Sequence, residues 1–100
     1  MEVKFSELSR QDFRDIADYL IDHAGGEVAT KVADEIERVI FEVLANNPSL
    51  GTVALVGSNP ALFFPAGKYP NYQIYYRLND DVLEVYRVLH GKRNVREILE

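Results

Sequence analysis

The sequence predicts an α+β domain: a two-helix antiparallel hairpin packed on one face of a mainly antiparallel sheet of three to four strands, in the order β-α-α-β-β-β. Three observations predict it. Apolar residues recur at helical spacing through the first half of the chain. Two apolar runs with alternating side chains, 72–78 and 82–89, flank the turn-like Asn79-Asp80-Asp81. The pair Gly25-Gly26 leaves too little chain between the helices for anything but an antiparallel hairpin. The sheet needs a cover for its apolar face, and the helix hairpin has an apolar stripe to supply it. The other face is left partly open to solvent or to a partner.

Residues 3–5 favour a short first strand. Ser9 follows as the expected N-cap of the first helix, with Asp12 three residues on as a weaker form of the capping-box acid. Phe13, Ile16, Ala17, Leu20, Ile21 and Ala24 form its inward stripe, while Asp12, Asp15, Asp18 and Asp22 lie off it. Gly25-Gly26 ends this helix. The second presents Val28, Ala29, Val32, Ala33, Ile36, Val39, Ile40 and Val43 or Leu44, and Asn46-Asn47-Pro48 stops it. Residues 48–60 read as a loop around a short apolar patch, 53–56. Leu62-Phe63-Phe64 reads as a strand closed by Pro65 and Gly67. With Asp80-Asp81 as a two-residue turn, Leu78 faces Leu83, Tyr76 faces Val85 and Ile74 faces Arg87. On the other face Arg77 meets Glu84 and Tyr75 meets Tyr86.

Composition bounds the function. The 100 residues make a single domain, 1–100, large enough to bury about two-thirds of its unfolded surface. Without cysteine there is no disulfide framework and no thiolate chemistry. No signal-peptide pattern and no apolar run of membrane-spanning length is present, so a cytoplasmic protein without a membrane partner is expected. Net charge is −5, unevenly spread. Residues 1–67 hold 5 Lys/Arg against 11 Asp/Glu; residues 68–100 hold 6 against 5. Such a body repels nucleic acid, so direct nucleic-acid binding is not expected.

No phosphate loop, dinucleotide fingerprint or metal-ligand spacing occurs, and no cofactor or metal is expected. His23, near the end of an acidic helix, eases the helix dipole. The tyrosines at 69, 72, 75, 76 and 86 read as sheet surface or interface, or as a base-stacking platform. Arg87 falls on the helix-covered face, where a guanidinium must be paired, and the first helix offers aspartates. His90, Lys92, Arg93 and Arg96 leave the sheet around Gly91 with few acids nearby. Two readings of them stay open: a solvated terminal turn, or a contact surface or acid–base group with arginines that stabilise a phosphate.

Phe64-Pro65-Ala66-Gly67, Asn71-Tyr72-Gln73-Ile74-Tyr75-Tyr76-Arg77 and Val85-Tyr86-Arg87-Val88-Leu89-His90-Gly91-Lys92-Arg93 resemble the ParE branch of the RelE/ParE toxin superfamily. The resemblance spans essentially the whole domain. It implies the toxin of a bacterial type II toxin–antitoxin module, with growth arrest and plasmid stabilisation as the associated roles. RelE-like toxins cut messenger RNA in the ribosome without a metal. The resemblance places an arginine near the start of the 72–78 strand in those chains, where this one has Gln73. It places a tyrosine beyond the basic loop, where this one has Val95, Glu97, Ile98 and Leu99. Only Arg93 matches a RelE-type catalytic position.

The ParE branch, whose characterised members poison DNA gyrase by protein contact, is therefore the expectation, rather than an enzyme. One departure is Phe63, where ParE-like chains often carry arginine. The implied partner is a ParD-like antitoxin, with a ribbon-helix-helix DNA-binding half and a tail that wraps the toxin. Expected target-binding residues are His90, Lys92, Arg93 and Arg96, then Arg77. Expected antitoxin contacts are Tyr19, Asp15, Asp22, Tyr75 and Tyr86. The alternatives are a ribosome-dependent endoribonuclease using Arg93 and His90, and an inactive, toxin-derived antitoxin-binding module.

Overall fold

The computed structural model describes residues 1–56 and 58–91, with Val56 described by its backbone alone. Lys92, Arg93 and Arg96 lie outside the described residues. Strand β1 (Glu2–Phe5) leads into helix α1 (Glu7–Ala24). Helix α2 (Gly26–Arg38) runs on through a π-helical turn (Val39–Leu44), and a 3-10 turn (Pro48–Leu50) follows. Four further strands follow among the described residues: β2 (Thr52–Val56), β3 (Asn59–Ala66), β4 (Tyr69–Asn79) and β5 (Val82–His90).

The five strands form one sheet in the order β1-β5-β4-β3-β2. The neighbouring pairs among β2, β3, β4 and β5 are antiparallel, whereas β1 lies parallel to β5, with Val3 opposite Leu83 and Phe5 opposite Val85. The α+β class and the helix hairpin are as the sequence predicts, and so is the order of the strands it names; among the described residues the sheet has five strands rather than three to four, and it is mixed. The extra strand is β2, which falls in the stretch that reads as loop. Its alternation is short, and glycines bracket it at 51 and 57; only pairing with β3 makes it a strand.

Helix α1 begins three residues earlier than Ser9 implies. Ser6 is the N-cap, its Oγ accepting from Ser9 N at 3.0 Å, while Ser9 Oγ donates back to Ser6 O at 2.9 Å. Ser9 is fully buried, and Asp12 is nearly so rather than off the packed face. Gly25 ends α1 at φ 94°, a left-handed backbone that glycine tolerates, with its N–H on Leu20 O. Residues 21–28, the closed end of the hairpin, are exposed throughout, so Ile21, Ala24 and Val28 lie outside the core.

The core sits between the helices and one sheet face. Ile36, Val39, Ile40 and Leu44 meet Ile74, Tyr76, Leu83, Val85 and Val88. Burial of this aliphatic face is the main favourable term, at about 25 cal/mol per Å² of apolar surface. Tyr76, the largest fully buried side chain, keeps its hydroxyl satisfied by donating to Pro48 O (2.7 Å) and accepting from Gly51 N (2.9 Å). That pair fixes the chain entering β2. A smaller cluster of Ala61, Tyr75 and Leu89, with Phe63 and Tyr86, occupies the opposite face.

The β4–β5 register agrees with the sequence from Asn79–Val82 as far as Tyr76–Val85, then shifts. A β-bulge skips Tyr86, so Tyr75 faces Arg87 and Ile74 faces Val88, in place of the expected Tyr75–Tyr86 and Ile74–Arg87 pairs. The shift keeps Val85 and Val88 both inward although they are three residues apart. Strand β3 continues to Ala66 through Pro65. Strand β2 pairs no further than Phe63, so the missing N–H of Pro65 breaks no ladder on that side.

Candidate functional site

Arg87 is where the bulge matters most. Strand β1 stops pairing at Phe5, which leaves the edge of β5 bare beyond Val85. Helix α1 takes its place. Ser6 N donates to Val85 O, Ser6 Oγ donates to Tyr86 O at 2.7 Å, and Val88 N donates to Asp12 Oδ2 at 3.0 Å. Arg87 reaches the same carboxylate with Nε (2.8 Å) and Nη2 (2.9 Å). Asp12 thus accepts three hydrogen bonds in a nearly dry site. Its hydrogen bonds with Arg87 hold that guanidinium above its ordinary pKa, against the opposing effect of burial. The aspartate partner expected for Arg87 is therefore present, though the bulge delivers it.

Next to this ion pair a pocket of about 260 Å³ opens between α1 and the ends of β4 and β5, lined by Asp12, Asp15, Ile16, Tyr19, Tyr72, Val88 and His90. Tyr72 and His90 are opposite each other in the register, and their rings meet edge to face with centroids 4.9 Å apart. Tyr19 is half exposed and stacks on His23, whose Nδ1 lies 2.8 Å from Tyr19 O. Asp15 accepts from Gln11 Nε2 at 2.8 Å. The pocket brings together Asp15 and Tyr19, expected on the antitoxin side, and His90, expected on the target side. Asp22 is exposed two turns along α1 from Asp15 and does not line the pocket.

Arg77, Tyr75 and Tyr86 lie on the opposite face of the sheet. The Arg77 guanidinium sits over the Tyr86 ring, 4.5 Å from its centroid. Glu84 is its register partner, yet among the described residues no carboxylate pairs with it, and its Nε is buried without a hydrogen bond. Tyr75 is buried, which raises its phenol pKa, and its hydroxyl donates to Gln73 Oε1 at 3.1 Å. Its ring lies 5.8 Å from that of Phe63. Phe63 and Gln73, the two positions where family patterns place arginine, are thus an apolar contact and a hydroxyl acceptor on this face.

Sequence reading missed one anchor of the scaffold. Glu35, buried on α2, accepts from Arg38 Nε (2.7 Å) and Lys68 N (2.8 Å) and closes on the β3–β4 turn. Gly67 turns there at φ 56°, and a Cβ on it would collide with the Glu35 carboxylate. The hydrogen bonds from Arg38 and Lys68 hold Glu35 down at a pKa of about 2. The signal in the sequence was a carboxylate on the apolar stripe of α2, three residues after Val32 and four before Val39. Among the described residues no cluster of three or more His, Asp or Glu could hold a metal ion, and no helix is long and apolar enough to cross a membrane.

A helix hairpin on one face of a β1-β5-β4-β3-β2 sheet, with Arg87 of β5 ion-paired to Asp12 of α1, has a ParE-like toxin fold. The model of the family described as the ParE toxin of type II toxin–antitoxin systems, parDE, matches residues 3–95, and the chain belongs to that family. A solved structure of the chromosomal ParDE TA system from P. aeruginosa superposes with a TM-score of 0.70 over 92% of this chain and 97% of that one. At 14% identity that likeness concerns the fold. No curated protein matches the chain.

Proposed function

We propose that this toxin inhibits DNA gyrase by protein contact, and that a ParD-like ribbon-helix-helix antitoxin neutralises it by seating its tail along α1. His90, Lys92, Arg93 and Arg96, with Arg77 in support, form the target-facing set. Asp15, Asp22 and Tyr19 serve the antitoxin, with Tyr75 and Tyr86 contributing from the second face. The observation that carries this reading is the engagement of Arg87 and Gln73 on the hairpin. Arg87 is held by Asp12, and Gln73 accepts from Tyr75. A nuclease of RelE type needs free cations there to stabilise a transferring phosphate. The net charge of −5 also opposes approach to ribosomal RNA.

Induced expression tests the reading. Growth arrest with an SOS response, DNA damage and messenger RNA intact at early times is expected. Rapid ribosome-dependent message cleavage without DNA damage would instead establish the endoribonuclease. Harmless expression would establish the antitoxin-binding module. Arg93→Ala is expected to abolish growth arrest while antitoxin affinity stays within about twofold, checked by calorimetry. Loss of both together removes the site assignment.

A further inference from the structure

We propose that β2 is a self-pairing edge, through which two copies of the free toxin associate antiparallel about Ala54 into one continuous ten-stranded sheet. The proposal is independent of the toxin's target.

Among the described residues the sheet has two edges, and they differ in kind. The β1 edge carries Glu2 and Lys4, charges that discourage strand addition. The β2 edge, Thr52-Val53-Ala54-Leu55-Val56, has no charge, no proline and no bulge against β3. Val53 is 73% exposed and Leu55 65% exposed, the two highest values among the large apolar residues described. Val53 is opposite Leu62, which packs into the helix-side core, so both side chains emerge on the helix side but beyond the helices. An edge of this kind templates another strand.

A second copy fits this edge for two reasons. With the dyad at Ala54, the smallest residue of the strand lies on the axis, and Val53 of each copy meets Leu55 of the other on one face, as an isologous contact requires. The acidic body also stays apart. Helix α1 lies against β5, three strands in from β2. The two α1 helices would then be separated by seven strand spacings, roughly 34 Å, against a Debye length of about 8 Å. Because the β1 edge is guarded, pairing closes at two copies and does not propagate. Five residues a side is a small interface, so association is expected to be weak and concentration-dependent.

The chain has no cysteine, so single-cysteine variants report the contact cleanly. Oxidised Ala54→Cys toxin is expected to cross-link to a covalent dimer at least tenfold faster than Lys4→Cys, because residues paired across an antiparallel dyad fall within disulfide range. Sedimentation of the cysteine-free toxin should show dimer growing with concentration, and Leu55→Lys should abolish it with the circular dichroism spectrum and Tm unchanged. The proposal is overturned if Ala54→Cys cross-links no faster than the control. It is equally overturned if free toxin stays monomeric to hundreds of micromolar, or if Leu55→Lys still dimerises. If antitoxin shields the thiol of the Ala54→Cys variant and no dimer forms in its absence, the edge belongs to the antitoxin instead.

Discussion

Two buried carboxylates carry the tightest local constraints, and they respond to change differently. Asp12 joins α1 to the end of β5. Replacing it with alanine strands the Arg87 cation and the Val88 N–H, so Asp12→Ala is expected to cost about 3 kcal/mol in urea denaturation. Asp12→Leu combined with Arg87→Met should cost less than Asp12→Ala alone, because no unpaired charge remains. Glu35 offers a pH signature. Its folded pKa, about 2, lies below the ordinary value of 4.5, so its contribution to stability is complete above about pH 4.5 and is lost as pH falls toward 2. Glu35→Gln is therefore expected to be less stable than the parent at pH 6, with the gap narrowing below pH 4.5 and closing near pH 2. Urea midpoints measured across that range check it.

At the level of elements, the start of α1 is fastened to the bulge in β5. Ser6 caps its own helix and also donates to Tyr86 O, across 80 residues of sequence. Ser6→Ala should cost about 1–2 kcal/mol, more than Ser9→Ala, by chemical denaturation. The reverse ranking would restore Ser9 as the operative cap. The same junction explains why the bulge was not legible. Alternation along 82–89 is nearly continuous, and nothing local distinguishes an even register from one that skips Tyr86. The skip becomes favourable only when Val88 must point into the core while Asp12 waits beside the bare edge. By contrast, the helix hairpin was legible, since Gly25-Gly26 and two apolar stripes are local signals. The hairpin register between Asn79 and Tyr76 was legible because the turn fixes it.

Across the whole molecule, the fold places Asp15 and Tyr19, proposed for the antitoxin, in one pocket with His90, proposed for the target. If the proposed assignments hold, an antitoxin tail seated there covers the root of the basic segment, and neutralisation works by occlusion. Asp15→Lys should then weaken antitoxin binding by tenfold or more in calorimetry, while growth arrest on expression without antitoxin is retained. An antitoxin tail peptide should compete with gyrase for the toxin, with inhibition lifted at high gyrase concentration. Tyr75 and Tyr86 test a different surface. They face away from α1, so their substitution should affect antitoxin affinity less than that of Asp15 if the α1 pocket dominates.

The order of every element but β2, the helix hairpin, the turn at Asp80-Asp81, the acidic body and the family motifs on β3, β4 and β5 were all determined by the sequence alone, because each rests on local periodicity, turn chemistry or composition. Only the tertiary structure decided that β1 lies parallel to β5, that β2 is a strand with an open edge, that Ser6 caps α1, and that Arg87 meets Asp12 around the end of β1. These depend on which backbone groups are left without partners once the sheet has formed. A buried N–H or guanidinium must find an acceptor wherever the fold brings one, however far away it lies in the chain.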